Sequence, residues 1–220
     1  MSDNVSLSLA EGLRARFSCR AYTRQPVPEE VLKKVFLDAQ RTPSAKNGQP
    51  WEVFVLTGQK LEALRDALTA ALREDRTAPM HNVRRGHEAH RRAAELSQAM
   101  GEFIARQGWE PRSFIARCLR FFEAPAAVVV CSEGAPDGLT GLDIGAYMQT
   151  LALSAKAQGL DSCIIGYTLI VAPVIKEVLG LPENVSVVIT LALGYADETQ
   201  PMAQFRSERD PIENCVHFME

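Results

Sequence analysis

Arg16, Ser18 and Arg20 occupy alternate positions in the segment Arg16-Phe17-Ser18-Cys19-Arg20. In an extended chain alternate residues share a face, so two guanidiniums would flank one hydroxyl. Such a set suits a phosphate, because a guanidinium fork donates paired, charge-assisted hydrogen bonds to an oxyanion. The same residues would serve equally in surface ion pairs. A second group lies in Pro43-Ser44-Ala45-Lys46-Asn47-Gly48-Gln49-Pro50-Trp51, where one hydroxyl and two side-chain amides fall close together. Neutral donors and acceptors of this kind could read the edge of a heterocycle, or could simply satisfy the loop's own backbone. Arg206 and Arg209 near the other end of the chain add a second basic cluster. Two arginine clusters in an acidic chain hint at an anionic ligand, with a solvated basic face as the alternative.

Other chemistry-bearing groups carry less. His87-Glu88-Ala89-His90 spaces its histidines three apart, whereas the helical zinc-protease signature needs four, so a solvated surface helix is expected. Gly138, Gly141 and Gly145 lack the spacing of a dinucleotide-binding loop and have no strand directly before them. Asp143 reads as a helix cap or first-turn residue. Cys19 alternates away from the arginine face and has no histidine beside it, which disfavours a thiol nucleophile. The five cysteines form no Cys-x-x-Cys pair, and Cys131 and Cys163 lie in apolar runs as small buried hydrophobes. Trp109 and Phe114 suit either a substrate pocket or the packing of a core.

The elements that must position these residues follow from periodicity. Pro28 suits a helix's first turn, and Val31, Leu32, Val35, Phe36 and Ala39 repeat at 3.6 residues, which predicts a helix over 28–41. A polar loop, 42–50, then leads into a strand over 51–57 and an amphipathic helix over 61–73. Residues 74–123 read as a helical insertion, with helices near 86–106 and 112–122. Ala126–Cys131 suits a buried strand, 134–141 a loop, and 143–158 an apolar helix ending at Gly159. Ser162–Gly166 reads as a turn or short strand, 173–179 as a helix and 185–193 as a strand. Three buried strands and about six helices imply a mixed α/β (α+β) sandwich.

With 220 residues, a net charge of −3 and 46% hydrophobic residues, the chain reads as one soluble domain with no field favouring nucleic acid or membrane. The N-terminus shows no secretory pattern and no apolar run approaches a membrane span, so a cytoplasmic, reduced protein is expected.

Taken together, the motifs match a family pattern: Arg-x-Ser-x-Arg, Pro-Val-Pro-x-Glu, a helix, and Pro-Ser-x-x-Asn-x-Gln-Pro-Trp. The match resumes at Leu142-Asp143-Ile144-Gly145 and Gly159-Leu160, and closes with Leu193-Gly194-Tyr195 and Arg209-Asp210-Pro211-Ile212-Glu213. It is weakest over 60–125. In these residues the chain resembles the nitroreductase family. Phe121-Phe122 and Ala124-Pro125, with the Trp109 region, are similar to its nitrobenzoate-reductase branch.

The resemblance implies an FMN-binding homodimer: a single domain over 1–220 with an insertion at about 74–123, a mainly antiparallel central sheet flanked by helices, and a domain-swapped C-terminal tail. It assigns Arg16, Ser18 and Arg20 to FMN, and Arg209 to the FMN phosphate. The family often has a basic residue at the position of Ser207, for which Arg206 would substitute. Pro43, Ser44 and Asn47 would lie along the flavin from the other subunit, and Ile165-Gly166 match a turn whose backbone N–H faces flavin N5. The implied activity is a ping-pong oxidoreduction in which NADH or NADPH reduces the flavin, which then reduces a nitroaromatic or quinone-like small aromatic acceptor. No side-chain catalyst is needed, because the flavin carries the chemistry. Arg16 or Arg20 could hold positive charge near the N1/C2 end of the ring. Dehalogenation, enone reduction, flavin reduction and flavin binding without turnover are alternatives compatible with the same motifs.

Overall fold

Val128, Val129 and Val130 face neither water nor one another, because successive side chains of a strand point to opposite sides and both sides of this sheet are covered. The computed structural model describes residues 7–78, 87–108 and 110–220; Trp109 and the side chains of His87 and His90 lie outside the described residues. In chain order the elements are α1 (Leu9–Ala15), α2 (Glu29–Ala39), β1 (Glu52–Thr57), α3 (Gly58–Arg73), α4 (His87–Arg106) and α5 (Pro111–Leu119). Then follow β2 (Ala126–Glu133), α6 (Gly138–Ala157), β3 (Asp161–Ile165), α7 (Ala172–Leu179) and β4 (Val185–Gly194).

The four strands pair antiparallel in the order β1-β2-β4-β3. Ala127, Val129 and Cys131 of β2 face a core built with Leu61, Leu64 and Leu68 of α3 and Ile175 of α7. Ala126, Val128 and Val130 face the opposite core, against Leu32 and Val35 of α2 and Tyr147 and Leu151 of α6. The result is the mixed α+β sandwich with an antiparallel sheet between helices that the pattern predicted. Gly194 ends β4 where a Cβ would meet the Pro125 ring at 2.4 Å, so only glycine admits that approach.

Several boundaries differ from expectation, each for a local reason. Helix α1 was not foreseen. Ser8 accepts from the Glu11 N–H while the Glu11 carboxylate accepts from the Ser8 N–H, a capping box that starts it. Pro28 caps α2 rather than entering it, and α3 begins at Gly58, three residues early. The supposed loop 134–141 is half helix: Asp137 caps α6 by accepting from Thr140, and the helix runs from Gly138 to Ala157. Gly159 beyond it has φ 77, the left-handed position that ends the helix. Ser162–Gly166 resolves as the fourth strand, β3, which extends the sheet beyond β4.

Residues 121–123 are not helix. Phe121, Phe122 and Glu123 carry φ of 53, 52 and 60, a left-handed turn with both rings buried. Buried Arg65 holds it from α3, donating to the carbonyls of Arg120 (2.9 Å) and Ala124 and pairing with Glu62.

Candidate flavin and phosphate site

Helix α1 stops at Arg16, whose backbone turns extended (φ −65, ψ 128). The chain then runs beside the outer edge of β3: Ser18 bridges Ser162 in parallel, and the Cys19 N–H donates to the Ser162 carbonyl at 3.0 Å. This docking fixes the direction of every second side chain. Arg16, Ser18 and Arg20 all act on the buried thiol of Cys163 in β3. Burial pushes that thiol up to about 11, against the opposing pull of Arg20, Arg16 and a Ser18 hydrogen bond. The three residues thus share Cys163 as an electrostatic neighbour. Cys19 is fully buried in the core, where burial holds its thiol up to about 12.

The distant end of the chain returns to the same place. Burial lowers the Arg16 pKa, and the positive charge of Arg209 lowers it further. Arg206 stacks on the Phe17 ring with its guanidinium carbon 3.4 Å from the centroid, and Arg20 lies 5.7 Å over Phe205. Arg209 donates through Nη1 to the hydroxyl of Ser207 (2.7 Å) and to neighbouring carbonyls. Ser207 thus supports the arginine beside it. None of Arg16, Arg20, Arg206 and Arg209 forms an ion pair with a carboxylate among the described residues. Converging cations without a counter-charge repel one another, and a bound oxyanion would remove that cost. The donor set fits a phosphate monoester.

At the end of β3 the Ile165 carbonyl accepts from two fully buried hydroxyls, Thr168 at 2.9 Å and Thr190 at 3.2 Å. The peptide is trans, so the N–H of Gly166 on its other side points away from that pair. Gly166 is exposed, open space lies where a Cβ would stand, and its N–H has no hydrogen-bond partner among the described residues. A free, oriented backbone donor is thereby presented at the strand end.

The loop between α2 and β1 is a separate construction. Ser44 Oγ accepts from the Gln49 N–H (2.9 Å), the local use of that hydroxyl the sequence allowed. The Asn47 side-chain amide has no partner among the described residues, and Pro43 is exposed. Lys46, Asn47 and Gln49 all have positive φ (51, 58 and 45). Among the described residues no hydrogen bond, ion pair or ring contact joins this loop to Arg16, Arg20, Arg206 or Arg209. It is tied instead to α6, where both carboxylate oxygens of Asp143 accept from the Ala45 N–H at 3.1 Å. Asp143 is the sixth residue of α6 and buried, so the expected cap or first-turn role is wrong; Asp137 holds that role. The signal available in the sequence was a lone carboxylate among Leu142, Ile144 and Tyr147, in a helix otherwise nearly free of charge.

Helix α4 lies against the segment bearing Arg206 and Arg209. Met100 and Ile104 pack with Met202 and Phe205, and Arg92 pairs with Asp210 at 2.6 Å. Phe114 packs at 5.9 Å from Phe122 and 6.3 Å from Tyr167, joining the cores rather than standing free. Among the described residues no cluster suits a metal ion, and no helix is long and apolar enough to cross a membrane.

Comparison with known proteins places the fold and sequence in a family. The chain is 30% identical over 220 residues to a chloronitrobenzene nitroreductase of Comamonas testosteroni, covering 94% of this chain and 95% of that protein. It is 31% identical over 227 residues to a 4-nitrobenzoate reductase of Nocardioides sp. strain LMS-CY, covering 94% and 88%. Its structure superposes on the FMN- and NADPH-dependent nitroreductase NfnB of Sphigopyxis sp. strain HMH with a TM-score of 0.89 at 27% identity, over 97% of this chain and 100% of that one. The Nitroreductase family profile matches residues 13–195, and the chain belongs to that family.

Proposed function

We propose that this chain is an FMN-dependent NAD(P)H nitroreductase: a cytoplasmic homodimer that reduces nitroaromatic or quinone-like small aromatic acceptors. The observation that carries the reading is a set of four arginines from both ends of the chain, Arg206 over Phe17, Arg20 over Phe205 and Arg209 coupled electrostatically to Arg16, with none of them ion-paired to a carboxylate among the described residues. The names of the relatives, which act on chloronitrobenzene and nitrobenzoate, support the substrate class.

Arg16, Ser18, Arg20, Arg206 and Arg209 would hold the FMN phosphate and the polar side of the ring. The Gly166 N–H, set by the buried Ile165 carbonyl, would donate to N5, where a backbone donor works whatever side chain stands beside it. Held there, FMN would supply two-electron redox chemistry between NAD(P)H and the acceptor. No hydrogen bond or ion pair among the described residues joins Pro43, Ser44 and Asn47 to the arginines, and we place them at the flavin of a second subunit.

A dimer also gives exposed surfaces a use. Val216, Phe218 and Met219 at the C-terminus are exposed, and a cleft of about 820 Å³ lies between α2 and the open edge of β1, lined by Val27, Leu32, Phe36, Leu37 and Val55. A swapped tail would bury the first against the second. The whole chain, 1–220, would form one domain whose insertion, 74–123, covers the site through α4.

The test is anaerobic titration of apoprotein with FMN, then turnover of 4-nitrobenzoate with NADH and with NADPH. Quenching of FMN fluorescence at one site per chain, with turnover, is the expected result. A protein that binds no FMN overturns the reading.

A further inference from the structure

We propose that Asp143 is the positioning residue that gives the 42–50 loop its flavin-binding shape. The inference rests on the reading that Ser44 and Asn47 contact FMN. Three observations carry it. Asp143 is 8% exposed and has no cationic partner among the described residues; its visible partner is the Ala45 N–H, shared by both oxygens at 3.1 Å. A buried carboxylate with a single donor is costly unless that contact is needed. The loop it holds carries three non-glycine residues at positive φ, Lys46, Asn47 and Gln49, within four positions. Such a conformation persists only where surrounding contacts over-determine it. Finally, the contact spans 98 residues of sequence and fixes the N–H directly after Ser44, one residue before the strained run. Its other anchors, the Ser44–Gln49 and Gln40–Gln49 hydrogen bonds, come from the loop or from exposed side chains.

The anchor also lies on α6, which packs against α1, the helix leading into Arg16. A single rigid helix would thus set both the phosphate-gripping segment of one flavin site and the loop proposed for the other.

The experiment uses the purified holoenzyme and its apo form. Asp143→Leu removes the acceptor at similar size, whereas Asp143→Asn keeps one acceptor oxygen without the charge. In Asp143→Leu, amide hydrogen exchange over 42–50 should accelerate with and without FMN, while β2 and β4 stay protected. The FMN Kd should rise about ten- to a hundredfold, the scale of one charge-assisted hydrogen bond. Asp143→Asn should restore most of the affinity and the protection. Adding Ala45→Pro, which deletes the donor, to Asp143→Leu should cost no further affinity, because the two residues form one contact. Unchanged exchange over 42–50 together with wild-type affinity in Asp143→Leu would overturn the proposal. Ser44→Ala/Asn47→Ala separates the layers: if it weakens FMN binding but Asp143→Leu does not, only the positioning role falls. If it leaves FMN binding intact, the loop does not contact the flavin and both ideas fall.

Discussion

Arg20 and Arg209 lie in segments from opposite ends of the chain that meet at Phe205, and neither forms an ion pair with a carboxylate among the described residues. Replacing either by alanine should therefore weaken FMN binding by about ten- to a hundredfold, since charge-assisted hydrogen bonds contribute ~1.5–3 kcal/mol each. Fluorescence titration would measure this, and an unchanged Kd would remove that arginine from the site. Gly166 offers a sharper case. Its φ of −80 suits proline, so Gly166→Pro deletes the N–H with little backbone strain. Flavin should still bind, but its reduction by NAD(P)H should slow about tenfold, the effect of one lost hydrogen bond. The buried thiols set a pH limit. Burial keeps Cys19 and Cys118 protonated to about 12 and Cys163 to about 11, whereas in the unfolded chain they ionise near 9. Above pH 9 the unfolded state binds fewer protons than the native one, so stability falls as pH rises, by up to about 1.4 kcal/mol per thiol per pH unit. Melting curves from pH 7 to 10.5 should show Tm constant at first and falling above 9; a flat profile would contradict this.

At the scale of elements, what the sequence made legible was what its own periodicity encodes. Val31 to Ala39, Trp51 to Thr57 and the apolar run from Ala126 gave α2, β1 and β2 within a residue or two at most ends, because burial alone decides them. Gly138 and Gly141 misled, since glycine reads as loop whereas here Asp137 caps a helix through them. Phe121 to Glu123 misled in the opposite direction. Nothing local marks a left-handed turn of two phenylalanines, because the turn is imposed by Arg65, more than fifty residues away in α3. Arg65→Met should therefore lower stability by about 3 kcal/mol, leaving the carbonyls of Arg120 and Ala124 short of a donor. Calorimetry should register a drop of roughly 6–12 °C in Tm; a shift under about 2 °C would mean the turn holds itself. The site divided likewise. Arginines, Ser44 and Asn47 could be nominated from type and spacing, but Asp143 and the Thr168–Thr190 pair act through contacts that only the fold creates.

The whole molecule is proposed to work only as a pair. Among the described residues no hydrogen bond, ion pair or ring contact joins its arginines to its 42–50 loop, and Val216, Phe218 and Met219 of its tail are exposed. Light scattering should give twice the mass of 24.2 kDa, and deletion of residues 211–220 should loosen both dimer and flavin. A monomer that binds FMN tightly would refute the shared site. The most direct test of the central claim is anaerobic stopped-flow spectroscopy of the holoenzyme. Mixing with NADH or NADPH should bleach the flavin absorbance, and a second mix with 4-nitrobenzoate should restore it while the acceptor is reduced. If neither nicotinamide bleaches the flavin, or if the nitroaromatic fails to restore it, the chain is not a nitroreductase in function.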